Sequence, residues 1–110
     1  MKWIRITSTE NIPEREGRAL MLDSRSVALF NLGDRFVALE NRCPHGGGPL
    51  ADGIVGGATV TCPLHNWRVC LDSGAITKPC DVSSPAVQTY PVKVENGVIL
   101  LGIDEASAAA

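Results

Sequence analysis

Cys43-Pro44-His45 and, after sixteen intervening residues, Cys62-Pro63-Leu64-His65 gather two thiols and two imidazoles into two short motifs. These are the only two histidines in the chain. Two Cys and two His satisfy tetrahedral zinc, but zinc sites usually pair like ligands, as C-x2-4-C and H-x3-5-H. Here each motif joins one Cys to one His, and C-x-H is tight for closing on a single ion. A two-iron cluster in which imidazoles replace the thiolates on one iron accepts that division. The ligand types and spacing therefore favour a one-electron redox centre, with structural zinc as the alternative.

At these residues the sequence resembles the Rieske family, whose C-x-H, spacer and C-x-x-H pattern it matches in full. The resemblance implies one 2Fe-2S cluster per chain. Cys43 and Cys62 would hold the inner iron, and His45 and His65 the outer one, where electrons enter and leave. Neutral imidazoles make such a centre easier to reduce: plant-type ferredoxins lie near about −400 mV, whereas Rieske centres start at about −150 mV. Respiratory members carry an extra cysteine in each ligand loop, and Ser and Tyr hydroxyls that raise the potential. The matching places here hold Gly48, Leu64, Trp67 and Val69. The resemblance thus points to the ferredoxin-like branch, with a potential of roughly −150 to 0 mV.

Within that branch the chain is most similar to the small subunit of bacterial assimilatory NAD(P)H-dependent nitrite reductase. That similarity rests on the run from Cys43 through Gly46-Gly47-Gly48-Pro49-Leu50 to Val55, on Asn66-Trp67 and on Thr89-Tyr90-Pro91-Val92. It implies a large partner subunit carrying flavin, a 4Fe-4S cluster and sirohaem, which reduces nitrite to ammonium in nitrate assimilation. The chain would be the electron-transfer subunit of that oxidoreductase. The alternative is a stand-alone ferredoxin working between a ferredoxin reductase and the terminal oxygenase of an aromatic-ring-hydroxylating dioxygenase. Ferredoxins of that kind more often have Thr after the first cysteine and Gly after the second histidine. Either way no independent catalytic site is expected, because both histidines are assigned to iron and no His general base is left.

A length of 110 residues suits one domain, and 45% apolar residues is ordinary for a globular fold. With a net charge of −2 and scattered Lys and Arg, nothing suggests a nucleic-acid partner. Glu10, Pro13, Glu14, Arg15 and Glu16 interrupt the amino-terminal stretch, which excludes a signal-peptide core or a membrane span there. The expectation is a cytoplasmic protein whose remaining cysteines, Cys70 and Cys80, are reduced structural thiols; the alternatives are a local disulfide across the turn at Asp72-Ser73-Gly74 and extra metal ligation.

Short β runs separated by turn residues dominate the chain: Trp3 to Thr7, Ala19 to Leu22, Val27 to Leu32, Phe36 to Leu39, Thr59 to Thr61 and Trp67 to Leu71. Gln88 to Val94 and Gly97 to Leu101 flank an Asn96-Gly97 turn, and Pro91 within the first of these runs marks an edge or a bulge. The fold class is all-β: a Rieske-type iron–sulfur fold of stacked antiparallel sheets, with the cluster between two loops that cap adjacent hairpins. One domain covers residues 1–104, its cluster-binding part lies at about 41–71, and residues 105–110 form a flexible tail. Gly53, Gly56 and Gly57 are expected to make turns or to let backbone approach the cluster. Asp52, Asp72 and Asp81 are expected to be solvated loop carboxylates. Trp3 and Phe36 are expected in the core.

Overall fold

Val27, Ala28, Leu29 and Phe30 are all fully buried, so the strand that carries them must be covered on both faces. The computed structural model, which describes residues 2–22, 25–42, 49–63, 66–78 and 87–103, contains three antiparallel sheets that achieve this. Chain order runs β1 (Lys2–Ser8), β2 (Gly17–Leu22), β3 (Arg25–Asn31), β4 (Phe36–Glu40), β5 (Ile54–Gly56), β6 (Thr59–Thr61), β7 (Arg68–Cys70), β8 (Ile76–Lys78), β9 (Thr89–Tyr90), β10 (Val92–Glu95) and β11 (Val98–Ile103). The sheets are ordered β1-β11-β10, β2-β3-β4-β9 and β5-β6-β7-β8. This is the all-β fold of stacked antiparallel sheets that the pattern predicts.

Alternation along β3 divides its side chains between two cores. Val27 and Leu29 join Ala38, Tyr90, Ile99, Leu101 and Ile103 on the side of the β1-β11-β10 sheet. Ala28 and Phe30 join Leu39, Leu50, Val60, Cys62, Val69 and Leu71 on the other, beneath the β5–β8 sheet. The β2-β3-β4-β9 sheet is therefore the middle layer. Each fully buried Leu- or Phe-sized side chain contributes about 1.5–3 kcal/mol. The exposed pairing of Arg35 with Asp34 and Asp72, at 2.8 and 2.6 Å, contributes little beside that. Its value is positional, because it ties the β3–β4 turn to the β7–β8 turn. Hydrogen bonds that the Arg35 guanidinium donates to Asp72, with the charge of Asp34, hold its pKa above the usual value.

Turn chemistry matches sequence where it is local. Asn96 and Gly97 take φ of 53° and 75°, which gives a two-residue hairpin between the paired Glu95 and Val98. Pro91 divides the run 88–94 into β9 of the middle sheet and β10 of the outer one, both edge strands. A proline cannot donate to a ladder, and here it marks the place where the chain changes sheets.

Several expectations change. Trp3 is not in the core: it is 39% exposed, with Lys93 Nζ 4.4 Å above its ring. Ile4 and Ile6 take the inner face of β1, and no further layer covers the outer face among the described residues. Phe36 is half-buried against the core beneath that sheet. Asp72 is ion-paired, not freely solvated; Asp52 is exposed as expected, and Asp81 lies outside the described residues. β5 and β8 were not among the expected strands. Cys80 and the proposed tail at 105–110 also lie outside the described residues, and Cys70 is a free thiol.

Gly74 lies where the chain leading into β9 packs against the β7–β8 turn. With φ of 77°, its Cβ would overlap the Val87 carbonyl, whereas a Cβ at Gly57, φ 60°, meets open space. Gly57→Ala should cost about 1–2 kcal/mol for the left-handed backbone alone. Gly74→Ala should cost at least twice as much, which thermal unfolding resolves at about 4–8 °C per kcal/mol; equal midpoints for the two variants would refute the packing argument.

Candidate metal centre

The two expected ligand loops leave and re-enter the sheets at neighbouring points. The first follows β4. Glu40 N–H donates to the Gln88 carbonyl at 2.8 Å and Asn41 N–H to the Ser26 carbonyl at 2.9 Å, so the chain is held until Arg42. It returns at Pro49 into a 3-10 turn, Leu50–Asp52, whose Leu50 and Ala51 are buried. Asn41 spans the opening: its Nδ2 donates to Ser26 Oγ at 3.1 Å, and its Oδ1 accepts from Ala51 N–H at 2.8 Å. Both bases of the loop are thus tied by one side-chain amide. Sequence reading missed Asn41, because a side chain reaching across ten residues leaves no periodic signal.

Gly53 then turns the chain into β5. Its backbone is extended, φ −77° and ψ 173°, so conformational freedom is not what it provides. A Cβ there would collide with the Thr61 carbonyl and lie 2.7 Å from Val60 Cγ2. The absence of a side chain lets Ile54 pair with Thr61, which sets the exit of the first loop beside the entry of the second. The turn reading holds for Gly57 and gives way to close backbone approach at Gly53.

The second loop is closed on itself. Cys62 N–H donates to the Trp67 carbonyl at 2.7 Å, and the Cys62 carbonyl accepts from Asn66 N–H at 3.1 Å. Asn66 takes φ of 60°, a left-handed conformation that Asn tolerates better than most residues. The six residues 62–67 therefore link Thr61 to its partner Arg68 on the neighbouring strand. Trp67 is half-buried and packs on the same core as Val60 and Val69.

Of the four expected ligands, Cys62 alone lies among the described residues; Cys43, His45 and His65 lie outside them. Cys62 is fully buried and free of any disulfide. A thiol must lose its proton to bind metal, and a thiolate in such a setting needs a compensating positive charge. A metal centre bound there would supply it, so the buried Cys62 fits the group. Cys70 is at the far end of β7 and is not brought to Cys62. The hydroxyl and backbone N–H of Ser73 pull its thiol pKa below the ordinary value.

Residues 2–102 match the model of the Rieske-like [2Fe-2S] domain family. The chain is 42% identical over 93 residues to the 3-phenylpropionate/cinnamic acid dioxygenase ferredoxin subunit of Escherichia coli (strain K12), an alignment covering 83% of this chain and 86% of the relative. Among solved structures it superposes on the ferredoxin of carbazole 1,9a-dioxygenase from Nocardioides aromaticivorans IC177 with a TM-score of 0.85 and 26% identity, covering 94% of this chain and 100% of that one. A structure described provisionally as the small subunit of an NADPH nitrite reductase gives a TM-score of 0.81 at 20% identity, covering 94% and 100%, which shows a common fold alone.

The nitrite reductase expectation is thereby overturned. With it go the large flavin, sirohaem and 4Fe-4S partner, the role in nitrate assimilation and the assignment as a nitrite reductase subunit; the 42% identical relative is a dioxygenase ferredoxin. The physical reason lies in the residues that carried the expectation. Leu50 is a buried plug, Asn66 supplies a left-handed turn and the Trp67 carbonyl receives Cys62 N–H. These roles close ligand loops, and any partner is compatible with them. Zinc, the other alternative, gives way to the match with an iron–sulfur domain.

Asn41 gives the site a test of its own. Asn41→Leu leaves the buried Ala51 N–H without an acceptor, at a cost of about 1–3 kcal/mol, and Asn41→Asp keeps that acceptor. Loss of visible absorbance in excess chelator should be several-fold faster for Asn41→Leu and close to wild type for Asn41→Asp; identical bleaching of all three proteins would remove Asn41 from the site.

Proposed function

This chain belongs to the Rieske-like [2Fe-2S] domain family, and from that we propose that it is the ferredoxin of an aromatic-ring-hydroxylating dioxygenase, passing single electrons from a reductase to the terminal oxygenase. The observation that carries the reading is the likeness to the Escherichia coli dioxygenase ferredoxin subunit over most of both chains. In this reading Cys43 and Cys62 hold one iron, and His45 and His65 the other. When bound, a 2Fe-2S cluster so ligated supplies a one-electron couple starting at about −150 mV.

The residues of the chain then have three tasks. Asn41 and the Cys62–Trp67 hydrogen bond hold the loop bases fixed. Cys62, Val60 and Val69 exclude water from the inner side. Val69, at the place where respiratory members carry a hydroxyl donor, is fully buried and has none to give, which supports a potential in the low part of the range, roughly −150 to 0 mV. Catalysis belongs to the partner. Among the described residues no helix is long and apolar enough to cross a membrane, and the working place proposed for the chain is the cytoplasm, with residues 1–104 as one domain.

Purified with its cluster and mixed with NADH and the reductase and oxygenase components of the Escherichia coli 3-phenylpropionate/cinnamic acid system, the chain should support hydroxylated product in proportion to its concentration. A fully loaded chain that the oxygenase does not reoxidise would overturn the reading. For the ligand set, His65→Cys should move the midpoint from the Rieske range towards the about −400 mV of all-cysteine clusters, or lose the cluster; a redox titration that finds the midpoint unmoved would refute His65 as a ligand.

A further inference from the structure

β10 is the last strand of the β1-β11-β10 sheet, and its far edge pairs with no strand among the described residues. The Asn96-Gly97 hairpin fixes which backbone groups face that edge. Glu95 pairs with Val98 and Lys93 with Leu100, and the Gly102 N–H donates to the Pro91 carbonyl at 2.8 Å. Hydrogen-bonded pairs alternate along an antiparallel ladder, so residues 91, 93 and 95 turn their groups to β11. The N–H and C=O of Val92 and Val94 point the other way, and neither residue makes another backbone hydrogen bond among the described residues. The Val94 side chain is 44% exposed. A groove of about 270 Å3 lies between this edge and the β3–β4 turn.

A lysine on an open edge usually blocks edge-to-edge pairing, but β10 also carries the opposite charge. Lys93 and Glu95 share one face, with Nζ and Oε1 3.8 Å apart and Lys93 set over the Trp3 ring. The other edge strands hold basic residues alone or none: Lys2 and Arg5 on β1, Arg18 on β2, Lys78 on β8, no charge on β5 or β9. Among the described edge strands β10 is therefore the one that can meet its own copy with opposite charges. The Lys93–Glu95 pair is exposed, so little is lost when its members turn to another chain.

We infer that the β10 edge pairs antiparallel with β10 of a second copy of this chain, about a two-fold axis at Val94. In that register Val94 stands opposite Val94 and exchanges with it the two hydrogen bonds left open on each strand. Lys93 of each copy stands opposite Glu95 of the other, which is favourable at directly paired positions. The neighbouring registers fail. An axis at Lys93 or at Glu95 sets like charges opposite each other and uses backbone groups already bonded to β11, and an axis at Val92 sets Lys93 opposite Pro91. Such a contact is isologous, as two-fold dimers require. With the four residues of β10 on each side it is small, and interfaces below about 1,200 Å2 are weak and transient, so the dimer forms at high concentration.

The test is sedimentation equilibrium of the cluster-loaded chain from about 10 μM to about 1 mM, the range of dissociation constants that a contact of this size gives. The average mass of the wild type should climb from monomer towards dimer. Lys93→Glu and Glu95→Lys should each weaken association at least about 10-fold. An equimolar mixture of these two variants should regain wild-type association, because only the mixed pair sets opposite charges face to face. Val94→Pro removes the N–H that faces the second copy and none that faces β11; it should stay monomeric with an unchanged cluster spectrum. Wild type that remains monomeric at about 1 mM, a mixture that associates no better than its parts, or a folded Val94→Pro that still dimerises would each overturn the pairing.

Discussion

Two ligand motifs sixteen residues apart can serve one metal centre only if the chain between them folds back on itself, and the β5–β6 hairpin meets that requirement. Its first pair, Ile54 with Thr61, depends on Gly53, because any side chain there would strike the Thr61 carbonyl. Remove that contact and the exit of the first loop no longer lies beside the entry of the second. The Asn41 bridge and the Cys62–Trp67 closure then act on loops already brought together. The first sets where the loops meet, and the other two set how firmly each is held.

Firmness comes from the layer beneath. Because β3 is buried on both faces, the middle sheet is fixed by two independent cores, and the hairpin sheet rests on one of them through Val60, Val69 and Leu71. Leu50 and Ala51 fill the same core from the other loop. Both loop bases therefore stand on a common apolar floor.

How much of this the amino-acid order disclosed depends on how local each cause is. β3 was legible because four consecutive apolar residues between turn signals leave few other readings. The Asn96-Gly97 hairpin and the break at Pro91 were legible because one or two residues determine them. β5 and β8 were not: three-residue strands containing Gly and Thr look like loop, and become strands only through register with β6 and β7. Trp3 misled because alternation tells which residues share a face but not whether another layer covers it. Asn41 was invisible because its partners, Ser26 and Ala51, come from different parts of the chain. At the centre itself the motif spacing announced the cofactor class, while only Cys62 of the four ligands lies among the described residues.

The misjudged partner has the deepest cause. Residues that hold an iron–sulfur cluster answer to its geometry, which is the same whatever protein takes the electron, so Leu50, Asn66 and Trp67 carry no address. Residues that choose the partner must be exposed to it. Gly53 and Ile54 stand next to each other and divide along this line: one has no side chain because the backbone of Thr61 leaves no room, the other offers its side chain to solvent. One shape recurs at a TM-score above 0.8 among proteins described as serving different oxidoreductases, so a shared fold and a shared ligand motif do not by themselves identify the partner.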